Sequence, residues 1–165
     1  MAKNPLIYVI DDNAMLRALI NQQLQNTLAC EVVSFEHADN VLDDWNSVTP
    51  DLVILDYQFE IPDLKYKNGL QFLHALRSQS NVPVIALTGQ SEKEVMSTLI
   101  KQGANDYIPK DEPQFLETLM SSVQTILSFQ ETQRQLKTSV FNVNAKFLLI
   151  ILLVLAGLIA LGMFI

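Results

Sequence analysis

The sequence predicts a doubly wound α/β domain on a five-stranded parallel sheet, followed by one C-terminal transmembrane helix. Three observations predict it. Through residues 1–128, short apolar runs alternate with segments of helical spacing. Apart from Ser34 in the second, the runs are continuously apolar, as strands covered on both faces are. Residues 147–165 are nineteen in succession without a charged, amide or hydroxyl side chain, and as a helix they reach about 28 Å against a hydrocarbon core of ~30 Å.

The first run, Leu6–Ile10, is a strand that ends at Asp11 and Asp12. Met15, Leu16, Leu19, Ile20, Leu24 and Leu28 follow at three- and four-residue intervals and predict the first helix. Val32–Phe35 is the second strand, and a second helix after it carries His37 and ends near Trp45, a packing residue. Leu52–Leu55 is the third strand and stops at Asp56. Leu70, Leu73, Leu76 and Arg77 share the next helix with His74. Val82–Leu87 is the fourth strand, with Thr88 and Gly89 at its end. Ser91 with Glu94 reads as a capping box, and Gly103 as the left-handed stop of the helix it opens. Tyr107–Ile108 is a weaker fifth run, closed by Lys110. The last helix is entered through Asp111 and Pro113 and shows Phe115, Leu116, Leu119, Met120, Val123, Ile126 and Leu127 on one face. Right-handed crossovers then fix the topology.

Composition removes several classes. The single cysteine, Cys30, rules out an internal disulfide and a cysteine-based zinc cage, and its apolar setting makes it a small core residue. His37 and His74 lack the spacing of a metal site or a triad. Residues 1–128 hold 17 acids and 8 bases, a net charge of −9, which repels a phosphate backbone and argues against nucleic-acid binding. The apolar run near the front is interrupted by aspartates too early for a secretory signal.

In an open parallel sheet the ligand sits outside the carboxyl ends of the strands. Here those ends carry Asp11, Asp12, Asp56, Thr88 and Lys110. Three converging carboxylates repel one another unless a cation neutralises them, and hard oxygen ligands suit Mg²⁺. One of the carboxylates can then act as a nucleophile towards phosphorus, with Lys110 and the Thr88 hydroxyl holding phosphoryl oxygens and Gly89 leaving room beside them.

Tyr8-Val9-Ile10-Asp11-Asp12-Asn13-Ala14-Met15-Leu16-Arg17 resembles the opening of a response regulator receiver domain. So do Asp51-Leu52-Val53-Ile54-Leu55-Asp56, Pro83-Val84-Ile85-Ala86-Leu87-Thr88-Gly89 and Gly103-Ala104-Asn105-Asp106-Tyr107-Ile108-Pro109-Lys110. The likeness covers about residues 5–128, in the family's order and spacing. It implies a flavodoxin-like receiver fold and a role in two-component phosphorelay signalling, as a single-domain receiver. It implies that Asp56 takes a phosphoryl group from a histidine kinase or phosphotransfer protein. It further implies Mg²⁺ as cofactor, held by Asp11, Asp12, Asp56 and the main-chain carbonyl of Gln58, and a switch made of Thr88 and Tyr107, with Thr88 and Lys110 sensing the phosphate. The sequence departs from the family at Lys110-Asp111, where a proline is usual after the lysine, and in the longer loop 57–69 with Glu60, Pro62, Asp63, Lys65 and Lys67.

Two other functions compete with that expectation. One is a degenerate receiver serving as a constitutive membrane-bound interaction module. The other is an aspartyl-phosphate hydrolase, which needs a carboxylate two residues past its nucleophile, where Gln58 stands. The expected organisation is a receiver over 1–128, a helical stalk over 129–146 and a transmembrane anchor over 147–165. Leu136, Val140 and Val143 at helical spacing suggest a short coiled coil in the stalk, so homo-oligomers through stalk or tail are expected. Arg134, Lys137 and Lys146 flank the anchor and put the receiver on the cytoplasmic side. The expected role is non-enzymatic: a relay, a phosphate sink, or a docking partner for a membrane-associated downstream protein.

Overall fold

A computed structural model of the chain describes residues 3–39, 41–43, 45, 48–59, 65–89 and 93–162. Five strands, β1 (Leu6–Ile10), β2 (Glu31–Phe35), β3 (Leu52–Asp56), β4 (Val84–Thr88) and β5 (Asp106–Pro109), form one sheet in the order β2-β1-β3-β4-β5. Every pairing is parallel; Ile10 lies beside Leu55, Asp56 beside Leu87, and Thr88 beside Pro109. The helices are α1 (Ala14–Thr27), α2 (Gly69–Arg77), α3 (Lys93–Lys101) and α4 (Phe115–Gly162).

The sheet is covered on both faces because its central strands are buried at every position. Alternate residues serve opposite cores. Tyr8, Ile10, Val53, Leu55, Val84 and Ala86 pack with Phe72, Leu73 and Leu76 of α2 and Leu99 of α3. Ile7, Val9, Leu52, Ile54, Ile85 and Leu87 pack with Ile20 and Leu24 of α1 and with Phe115, Leu119 and Val123 of α4. This alternation is the reason a one-residue slip of any central strand is excluded, since it would exchange the two cores. Arg77 ties α2 to the turn after α3 on the same face, its guanidinium donating to the carbonyls of Gly103 (2.8 Å) and Ser80 (3.2 Å). Gly103 has φ +97°, the left-handed stop expected after α3.

Three expectations change. Between β2 and β3, the described residues form turns instead of a second helix, with i→i−3 bonds from Val41 N to the Ala38 carbonyl and from Trp45 N to the Leu42 carbonyl. Ala38, Val41, Leu42 and Trp45 carry a helix-like apolar spacing, but Asp39, Asn40, Asp43, Asp44 and Asn46 among them favour local backbone bonds over a helix. Trp45 is nonetheless buried, edge-on to Tyr8 at 6.2 Å. The α1 stripe is narrower than its pattern, for Ile20 and Leu24 are buried while Met15 is 82% exposed. Cys30 is half-buried, not a full core residue, and burial raises its thiol pKa. Ser91 of the expected capping box lies outside the described residues.

The chain divides into two compact units, Met1–Leu127 and Ser128–Ile165. The second is helical as far as Gly162, and α4 is long and apolar enough to cross a membrane by length and composition.

Candidate functional site

The strand order reverses between β1 and β3, and the crevice beyond their carboxyl ends holds the candidate site. Asp11 follows β1 and is fully buried. One of its carboxylate oxygens accepts from Asn13 N at 2.8 Å and the other from Lys110 Nζ at 3.1 Å. Asp56 ends β3, 1% exposed, and its Oδ1 accepts from Lys110 Nζ at 2.9 Å and from Gln58 N at 3.3 Å. Lys110 reaches both because β5 pairs with β4 to the last residue and Lys110 N donates to the Thr88 carbonyl at 2.7 Å. Thr88, buried at the end of β4, completes the strand-end set.

Asp11, Asp12 and Asp56 each offer a carboxylate oxygen within 4.8 Å of the others. With Asn13, Gln58, Gly89 and Lys110, Asp12 and Asp56 line a cleft of about 370 Å³. A Cβ on Gly89 would meet only Gln58 Oε1, at 4.0 Å, so this glycine leaves space without being demanded by crowding. Tyr107 lies elsewhere: it is half-buried against the core on the α2 and α3 side and does not line the cleft. Neither histidine lines it.

The electrostatics explain why a cation suits this cluster. Burial pushes the Asp56 carboxyl up to about 6; Lys110 pulls it down and Asp11 pushes it further up. Burial alone would lower Lys110, but Asp56 and Asp11 outweigh it and raise its pKa. The ammonium therefore neutralises only part of the acidic cluster. Three carboxylates with close oxygens, two buried and one half-buried, fit a hard divalent ion such as Mg²⁺.

The raised Asp56 value has a measurable consequence. A carboxyl whose folded pKa lies above its ordinary value of 3.8 stabilises the fold below that value, and this stabilisation is lost as pH rises through about 6. With chelator present, the wild-type protein should lose on the order of 2 kcal/mol relative to Asp56→Asn between pH 4 and pH 7. Paired thermal melts measure it, and parallel pH profiles for the two proteins would contradict the assignment.

Several residues here escaped the sequence reading. Asn13, not either aspartate, is the N-cap of α1, its side chain accepting from Met15 N and Leu16 N. Arg17 donates to the main-chain carbonyl of Asp11. Asn68 caps α2, and Gln58 bridges to Asn68 across the base of the long loop. Gly69 then brings α2 against the acceptor strand: a Cβ at this position would stand 2.1 Å from the Asp56 carbonyl oxygen. The Asn-Gly pair ahead of an apolar helical stripe was the available signal. Gly69→Ala should cost about 2–3 kcal/mol by overpacking against backbone. Urea unfolding checks it, and an unchanged midpoint would contradict the close approach.

The response regulator receiver domain family matches residues 7–124. The chain belongs to this family. Among curated relatives, this receiver is 30% identical over 136 residues to the sensory transduction protein BceR of Halalkalibacterium halodurans, covering 80% of this chain and 55% of the relative. It is 28% identical to the DNA-binding transcriptional regulator NtrC of Proteus hauseri, covering 78% of this chain and 26% of the relative. The receiver chain thus spans between about a quarter and a little over half of these relatives. Among solved structures, NtrX from Brucella abortus matches with a TM-score of 0.68 and 26% identity, over 82% of this chain and 29% of that one. The Francisella response regulator 1452 receiver domain matches in fold, with a TM-score of 0.66 and 23% identity, over 77% and 99% of the two chains. The five-stranded parallel sheet with flanking helices is the receiver fold.

Proposed function

We propose that this receiver accepts a phosphoryl group on Asp56 from a histidine kinase or phosphotransfer protein while residues 147–165 hold it at the cytoplasmic face of a membrane. The observation that carries the reading is the Lys110 ammonium seated between Asp56 and Asp11, at 2.9 and 3.1 Å, in one acidic cleft. An Asp56 oxygen attacks phosphorus as the bond from phosphorus to the donor's imidazole nitrogen breaks. The bonding pair returns to that nitrogen, and Asp56 becomes an acyl phosphate. Lys110 stays beside the developing charge on the transferred oxygens, and the Thr88 hydroxyl donates to one of them. Asp11, Asp12, Asp56 and the Gln58 carbonyl would hold Mg²⁺. When bound, that ion neutralises phosphoryl oxygens and carboxylates together.

Thr88 and Tyr107 then form the switch, the hydroxyl following the phosphate and the aromatic ring repacking. The output is a relay, a phosphate sink or docking to a membrane-associated partner, and the chain is not chiefly an enzyme. The net charge of −9 over residues 1–128 repels a phosphate backbone, and the proposed partners are proteins and the membrane. Asp111 is exposed, and the ion pairs of Lys110 among the described residues are with Asp11 and Asp56. The Lys110-Asp111 departure therefore does not favour a degenerate receiver. Acetyl phosphate labelling in Mg²⁺ tests the proposal, and a folded wild-type protein that takes no label ends it. Asp12→Ala should weaken Mg²⁺ affinity at least about tenfold by removing one hard oxygen ligand. Isothermal titration measures it, and unchanged affinity takes Asp12 out of the metal set.

A further inference from the structure

Residues 128–147 are continuous helix outside the receiver unit, and they carry six large, exposed apolar side chains. Five of these, Phe129, Leu136, Val140, Val143 and Phe147, are 55–66% exposed and fall in one seam. Their intervals are seven, four, three and four residues, and Gln133 divides the first into four and three. That is an unbroken heptad register with Phe129, Leu136 and Val143 at d and Gln133, Val140 and Phe147 at a. Phe141 is the one large apolar residue of this stretch off the seam.

We infer that this seam is the interface of a parallel two-stranded coiled coil between two copies of the chain. The occupant follows from the register. A β-branched Val140 at a with Leu136 at d favours two strands. Gln133, the single polar residue at an a position, meets its own counterpart in a parallel, in-register pair and can exchange amide hydrogen bonds with it. A shifted or antiparallel pair sets it against an apolar side chain. The flanking positions agree. In the parallel pair Thr132 faces Lys137 of the other copy and Ser139 faces Asn144, so no like charges meet. Glu131 and Arg134 fall outside the seam. The parallel sense also rests on the proposed membrane anchor, because two copies inserted alike present their stalks in the same direction and register.

Cysteine cross-linking of the full chain in membranes tests this. The parent is Cys30→Ala, which contains no other thiol. Gln133→Cys, Leu136→Cys, Val140→Cys and Val143→Cys should form disulfide dimers under mild oxidation at least about tenfold more than Gln135→Cys, Thr138→Cys, Asn142→Cys and Ala145→Cys. A flat profile, no dimer anywhere, or a maximum on the outer positions overturns the proposal. Leu136→Glu with Val140→Glu should give monomers in detergent by light scattering and leave Asp56 labelling intact. A dimer surviving that pair of substitutions overturns it as well, since the contact would then lie elsewhere. Carbonate extraction is scored on the same samples. Release from the membrane with the seam periodicity intact defeats the anchor and leaves the coiled coil standing.

Discussion

Asp56→Asn should abolish labelling by acetyl phosphate, a drop of at least about a thousandfold, while the domain stays folded. The amide keeps the size and shape of the carboxylate but has no nucleophilic oxygen anion. The neighbours limit how far the loss can be bypassed. Asp11 is fully buried, with its oxygens taken by Asn13 N and Lys110 Nζ. Asp12 lines the same cleft, its carboxylate oxygen within 4.8 Å of those of Asp11 and Asp56, and its proposed role is to hold Mg²⁺. Folding should survive, because what the substitution removes is one charged partner of Lys110, which retains Asp11. Mass spectrometry of the labelled protein decides the matter. Equal label on the Asn variant would move the acceptor to another carboxylate.

Removing residues 147–165 should convert a membrane-pelleting protein into a soluble one with an active receiver. The segment holds seven leucines, four isoleucines and two phenylalanines. At the per-residue insertion values for such side chains, transfer into a bilayer is favourable by on the order of 4 kcal/mol. The receiver unit ends at Leu127, and the last helix enters its α1-side core through Phe115, Leu119 and Val123, all well ahead of that segment. Labelling of Asp56 should therefore be unchanged within about twofold, and delivery to a membrane partner should fail. Fractionation with carbonate extraction measures the first half, and labelling of the truncated protein the second. An aggregated truncated receiver, or a full-length protein that carbonate releases, would count against the anchor.

How much of this was legible in the sequence depended on how local the cause was. β1, β3 and β4 could be read directly, because strands buried on both sides leave uninterrupted apolar runs. Asp11, Asp12, Asp56, Thr88 and Lys110 were legible for a related reason: each stands at the carboxyl end of an apolar run, where a parallel sheet opens to solvent. The segment between β2 and β3 misled, since apolar spacing alone does not weigh the backbone-bonding tendency of its aspartates and asparagines. Met15 and Leu19 misled differently, because a helical stripe shows which residues align but not how wide a strip the sheet covers. The bond from Lys110 to Asp11 joins residues 99 apart, and no local pattern announces it. The crowding at Gly69 is of the same kind: it exists only once α2 is laid against β3.

The pinched base of the loop between β3 and α2 bears on how such a protein can diversify. Gln58 and Asn68 bridge, and Gly69 N donates to the Tyr57 carbonyl at 2.8 Å, so the two ends of the loop are stitched together just outside the acceptor. Lengthening the chain between these two stitches leaves the Asp56 carbonyl, the Gly69 contact and the start of α2 where they are. The closure entropy of a longer loop rises only with the logarithm of its length, about 0.6 kcal/mol per doubling. The rim can therefore gain or exchange residues at small cost to folding and none to the nucleophile. It acts as a graft point: partner choice can drift or be engineered in one stretch of sequence while the chemistry is inherited unchanged in another.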